Sequence, residues 1–118
     1  MLVPVSSVRR SEDRGIWAVV VLTGEVDRGL ASRLREVMDA LIAEGQAQIV
    51  LNVERVSFMD SAGIGTLVYG MQRTGAHGGR LRLAGPGDQV RGLLEMTGLA
   101  GAVEVFGDVP AACRAPRH

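Results

Sequence analysis

The chain has 118 residues, and 13 Arg balance 13 Asp and Glu to a formal net charge of zero, with no lysine at all. That length supports one domain with a modest core, burying roughly two-thirds of the unfolded chain's surface. The even balance excludes the basic footprint of a nucleic-acid binder, and the missing lysine excludes any chemistry that needs an ammonium group.

Residues 2–8 form a strand candidate that Pro4 restricts to a sheet edge. Residues 11–15, with Glu12, Asp13 and Gly15, read as a turn. Residues 16–23 are apolar and β-branched almost throughout, the pattern of a central strand buried on both faces. It is expected to pair with 2–8 as an antiparallel hairpin. Asp27 is an N-cap candidate for the next element, a helix whose apolar side carries Leu30, Leu34, Val37, Met38, Leu41 and Ile42. Gly45 supplies its stop. Residues 48–53 are the second central strand. Strand, helix and strand of these lengths make a right-handed βαβ unit, so the two strands run parallel. Their C-terminal ends, and the loops carrying Glu25, Asp27, Asp60 and Ser61, then share one sheet edge, where α/β folds place their sites.

A second helix follows, with Ile64, Leu67, Val68 and Met71 at helical spacing and an end expected near residues 73–75. Either Asp60 or Ser61 serves as its N-cap. Gly63 and Gly65 fall in its first turns, where each costs about 1 kcal/mol relative to alanine. That cost without local gain suggests that something approaches this backbone closely. Residues 75–79 form a glycine-rich connection. Residues 80–83 alternate as a strand with one wet face. Pro86 and Gly87 lead into a short helix over 89–96 with Val90, Leu93 and Leu94 on its apolar side. A last strand spans 103–106, and Asp108 caps a short C-terminal helix over about 108–114. The expected architecture is an α/β fold: a mixed, mostly parallel sheet of about five strands, helices mainly on one face, in a single domain over 1–118 with a core over about 16–106.

The single Cys113 cannot form an internal disulfide, as suits a reducing compartment. The first ten residues lack a signal-peptide pattern, and the longest apolar run, 16–22, is far short of a membrane span. These features read as a cytoplasmic protein that binds neither membrane nor nucleic acid.

Several chemistries fail on residue inventory. A phosphate-binding loop of the nucleotide type needs a lysine, and so does a phosphoryl-accepting receiver domain. The dinucleotide fingerprint needs a third glycine where Val68 stands, and an acid about 20 residues on; no Asp or Glu occurs between Ser61 and Gly87. A hydrolase elbow needs glycine where Met59 stands, and a base for Ser61. The only candidates for that base are His77 and His118, and His77 falls in the glycine-rich loop beyond the helix. Glu25, Asp27 and Asp60 form a conceivable magnesium set, against which Asp27 reads more simply as a cap. Cys113 reads as a small hydrophobe rather than a reactive thiol. The chain is expected to be no enzyme and to use no cofactor or metal.

Phe58-Met59-Asp60-Ser61-Ala62-Gly63-Ile64-Gly65 resembles the signature of anti-sigma factor antagonists, small proteins of the STAS domain family. Three weaker stretches agree in order: Leu22 to Asp27, Ile49 to Val53, and Leu93 to Leu99. Ala62 departs from the many relatives that carry a second hydroxyl there, leaving Ser61 as the only hydroxyl between Asp60 and Thr66. The resemblance implies a STAS fold and a partner switch. An anti-sigma factor that is also a serine kinase binds the unphosphorylated form, then phosphorylates Ser61 from its own ATP. A serine phosphatase restores the binding form. The residues implied to meet the partner are Glu25, Asp27, Asp60, Ser61, Ala62, Gly63, Ile64 and Gly65. On this reading Asp60, Glu25 and Asp27 make the neighbourhood of Ser61 acidic before any phosphate arrives. The alternatives are a STAS scaffold or transporter-regulatory subunit and, in a third class, a small hydrolase.

Overall fold

The computed structural model describes residues 6–116. Five strands in sequential order form one sheet: β1 (Ser7–Arg10), β2 (Ala18–Val26), β3 (Gln48–Met59), β4 (Arg80–Ala84) and β5 (Glu104–Phe106). β1 is antiparallel to β2, and β2 to β5 are mutually parallel. The helices are α1 (Arg28–Ala43), α2 (Ser61–Ala76), α3 (Asp88–Met96) and α4 (Val109–Arg114). Alternation along the strands divides the core into two layers. Val20, Leu22, Ile49, Leu51, Val53, Leu81 and Leu83 pack under α1, α2 and α3. Trp17, Val19, Val50 and Ala84 pack under α4 on the opposite face. This is the expected mixed sheet with helices mainly on one side.

Several boundaries differ from the sequence reading. The edge strand starts at Ser7 and runs to Arg10, while residues 2–5 of the expected strand lie outside the described range. β2 begins two residues later than expected and ends at Val26, so Glu25 is a strand residue rather than part of a turn. Ile16 is exposed, ahead of the strand. β3 continues six residues past Val53 to Met59. Two register shifts against β2, where Asn52 to Arg55 and Val56 to Phe58 face shorter steps on the partner, absorb the extra length as bulges. Asp27 caps α1 as expected, and Gly45, at φ 86°, ends it.

The expected wet face on residues 80–83 is absent, because Arg82 is fully buried. Its guanidinium lies 4.3 Å from the centre of the Trp17 ring and 5.2 Å from that of Phe106. Nη1 donates to the carbonyls of Ala112 and Ala115 at 2.7 and 2.8 Å, Nη2 to that of Pro116 at 2.8 Å, and Nε to Glu104 at 3.2 Å. A buried cation is tolerable only when its donors are matched. The carbonyls at the end of a helix are good acceptors for it. Arg82 thus fastens α4 to the back of the sheet, and the charge that looked solvent-facing is a structural pin.

Candidate functional site

Two strand-to-helix junctions meet at the C-terminal edge of the sheet. Register pairs Glu25 with Phe58 and Val26 with Met59, so β2 and β3 end side by side. Each then turns through an aspartate into a helix. Asp27 Oδ1 accepts from the Leu30 amide at 2.9 Å. Asp60 Oδ1 accepts from the amides of Ala62 at 2.9 Å and Gly63 at 3.3 Å. The open choice of cap for α2 therefore falls to Asp60, and Ser61 is the first helical residue, exposed and not engaged in capping.

The second junction is braced from a distance. The side-chain amide of Gln89, on α3, accepts from the Met59 amide and donates to the Met59 carbonyl, both at 2.8 Å. β4 pairs with β3 only as far as Asn52, so Gln89 takes the place of a neighbouring strand just before Asp60.

The two glycines have different explanations. Gly63 is buried, and a Cβ there would overlap Met59 Cγ and sit 3.2 Å from Val26 Cγ1. What approaches this backbone is the chain's own core, which corrects the reading that Gly63 brings no local gain. Gly65 is exposed, and a Cβ there would meet only Arg35 Nη2, at 3.8 Å. Its smallness serves no packing need.

Ser61, Ala62 and Gly65 line a groove of about 480 Å³ whose other wall is Arg28, Ala31, Ser32 and Arg35 of α1. Arg28, like Ser61, is the first residue of its helix. Arg35 Nε donates to Thr66 Oγ1 at 3.3 Å, and its guanidinium lies 5.0 Å from the centre of the Tyr69 ring. The Tyr69 hydroxyl donates to Asp39 at 2.8 Å, and Arg73 pairs with the same carboxylate at 3.2 Å. That hydrogen bond to Asp39 is the main reason the Tyr69 pKa is raised. The surroundings of Ser61 are therefore not simply acidic, as the sequence reading had them. The carboxylates of Asp27 and Asp60 are engaged as caps, and two guanidiniums line the groove.

Of the residues singled out from sequence, Ser61, Ala62 and Gly65 share this groove, and Asp27 and Asp60 cap the two helices that form its walls. Gly63 and the half-buried Ile64 face the core. Glu25 is not part of the groove. It alternates with the buried Val26, as the 47% exposed Phe58 does with Met59, so Glu25 and Phe58 form an adjacent patch on the other side of the edge. Among the described residues no three His, Cys, Asp or Glu side chains converge as metal ligands, so Glu25, Asp27 and Asp60 do not make a magnesium set. His77 is the C-cap of α2, about 24 Å along the helix from Ser61. Burial pushes the Cys113 thiol pKa up, away from nucleophilic use. No helix among the described residues is long and apolar enough to cross a membrane.

Sequence reasoning missed Arg28, Arg35 and Gln89. A signal for the first two was present: Arg28, Ser32 and Arg35 recur at i, i+4 and i+7, a polar stripe beside the apolar one.

The chain is 33% identical over 86 residues to an anti-sigma-B factor antagonist of Staphylococcus aureus, covering 73% of this chain and 80% of the relative. The fold superimposes on the phosphorylated form of the Bacillus cell fate determinant SpoIIAA with a TM-score of 0.73, at 28% identity, over 90% of this chain and 96% of that one. It also matches a sulfate transporter family protein from Wolinella succinogenes with a TM-score of 0.76, at 25% identity, over 87% and 86% of the two chains. The family model of the STAS domain matches residues 7–112, and the chain belongs to that family.

Proposed function

We propose that this chain is an anti-sigma factor antagonist that works by partner switching, with Ser61 as the switch. The observation that carries the reading is an exposed serine at the first position of α2, directly after the aspartate that caps the helix and before the small Ala62 and Gly63. A partner's backbone can approach it closely. The similarity to antagonists of anti-sigma factors supplies the class of partner.

In the unphosphorylated state the edge formed by Glu25, Asp27 and residues 60–65 binds an anti-sigma factor, which gives up its sigma factor. That anti-sigma factor is also the serine kinase and holds the ATP. Ser61 Oγ forms a bond to the γ-phosphorus, ADP leaves, and the hydroxyl proton passes to a base of the kinase. The product carries about −1.5 to −2 charges at neutral pH. A partner surface shaped for a small neutral hydroxyl then faces a dianion whose desolvation is costly, and the complex loosens without refolding. A serine phosphatase reverses the change.

The test is incubation with a kinase-type anti-sigma factor and ATP, followed by peptide mapping. Phosphate on Ser61 alone supports the reading, and phosphate mainly on Thr23, Ser57 or Thr66 refutes it. The likeness to a sulfate transporter family protein favours one second reading, a STAS regulatory unit of a transporter. Co-purification with a transporter rather than a kinase would establish that alternative.

A further inference from the structure

Resting on that reading of Ser61, we propose that Arg28 and Arg35 form a receiving site within this chain for the phosphoryl group on Ser61, so that the modified side chain folds back into the groove between α1 and α2.

Three observations carry this. The first is placement: Arg28, Ser32 and Arg35 line the same groove as Ser61. Ser61 and Gly65 are four residues apart on α2, which puts them on one helix face about 5–6 Å apart. The Arg35 guanidinium lies over Gly65, with Nη2 3.8 Å from where a Cβ would stand. The Ser61 Cα–Cβ bond tilts toward the start of α2, the end of the groove where Arg28 stands first on α1, while Arg35 reaches in over Gly65, which has no side chain to block it. The second is preorganisation. Arg35 is already held by Thr66 Oγ1 and the Tyr69 ring, and Tyr69 by Asp39. Thr66 is itself anchored, donating to the Ala62 carbonyl at 3.0 Å. A planar guanidinium fixed in advance loses little freedom when it binds a phosphate with two parallel hydrogen bonds.

The third is availability. Among the described residues, neither Arg28 nor Arg35 lies within 4.0 Å of a carboxylate oxygen. The nearby acids are occupied, Asp39 by Tyr69 and Arg73, Asp27 and Asp60 by helix caps. The amides of Ala62 and Gly63 are taken by Asp60 Oδ1, so the start of α2 has fewer free donors for the phosphate and the arginines must supply the charge. The consequence is a switch with two parts: phosphorylation adds an anion to the surface and also withdraws two cations from any partner that uses them.

The test uses the full chain with phosphoserine installed at position 61 during translation, and reads the second ionisation of that phosphate by ³¹P NMR titration. An ordinary phosphoserine loses its second proton near pH 6. Paired arginines favour the dianion, and the expected result is a second pKa about one unit or more lower in the wild-type background than in the Arg28→Gln, Arg35→Gln double variant. Arg33→Gln is the control, since Arg33 is on α1 outside the groove, against the Ser6 carbonyl. It should titrate as wild type. Equal pKa values with and without Arg28 and Arg35, or an equal shift from Arg33→Gln, would overturn the proposal. Because no kinase is involved, a kinase that ignores Ser61 would defeat the functional reading and leave this result standing. Circular dichroism confirms that the variants fold.

Discussion

The junctions that follow β2 and β3 have the same backbone plan and opposite surfaces. In each, a parallel strand ends in a buried apolar residue, Val26 or Met59, and an aspartate caps the next helix. After Asp27 comes Arg28, a long cation. After Asp60 come Ser61, Ala62 and Gly63, the smallest side chains available. One junction projects charge and the other exposes a hydroxyl on a bare backbone, and because the strands are neighbours the two face each other across one groove. A site can thus be built by varying one or two residues after a repeated cap, while the cap itself keeps a structural duty.

The largest expected effect lies outside both junctions and sets the scale. Arg82→Ala removes the pin of α4 and leaves the carbonyls of Ala112, Ala115 and Pro116 without their donor, while Glu104 keeps Arg80 at 3.3 Å. Denaturant unfolding should show a loss of about 3 kcal/mol or more, since each buried carbonyl left unpaired costs about 1–3 kcal/mol, while the folded fraction binds its partner normally. Weaker binding per folded molecule would mean that the back of the sheet contributes to the edge.

Within the second junction the glycines should separate. Gly63→Ala forces a methyl group against Met59 and Val26, an overpacking cost of about 1–3 kcal/mol partly offset by helix propensity. Gly65→Ala meets only ordinary contact with Arg35 and should stabilise by up to about 1 kcal/mol. Thermal melts of the pair check this, and equal destabilisation would contradict the account of Gly65 as an open floor.

The remaining comparison is between the caps. Asp27→Ala and Asp60→Ala should each cost about 0.5–2 kcal/mol, measured by urea titration. Only one of them sits next to Ser61 in sequence, so Asp60→Ala should also slow phosphorylation of Ser61, and Asp27→Ala much less. Similar slowing by both would show that the two junctions act on the kinase as a unit.

How much of this could be read in advance follows from the range of each interaction. Asp27 was legible as a cap, and the α2 cap was narrowed to Asp60 or Ser61, because capping bonds close within three residues. The parallel pairing of β2 and β3 was legible because a helix of that length between two apolar strands leaves one hand of connection. Gln89 was not, since its role depends on where β4 stops and α3 begins, 30 residues after Met59. Arg82 was misread because its alternating neighbours describe an exposed face, and the covering carbonyls arrive 30 or more residues later. Arg28 and Arg35 lay in a visible stripe, but the face of α1 that meets α2 is decided by packing, and so the spot was read as acidic.

The central claim is that the state of Ser61 controls an interaction at this edge without changing the fold. The most direct measurement is a calorimetric titration of wild type, Ser61→Ala and the Ser61-phosphorylated protein against the anti-sigma factor, with circular dichroism of each. Ser61→Ala should bind about as wild type does. The phosphorylated form should bind about tenfold or more weakly, with an unchanged spectrum. Equal affinity for all three would contradict the claim and leave Ser61 as an ordinary surface residue at the start of a helix.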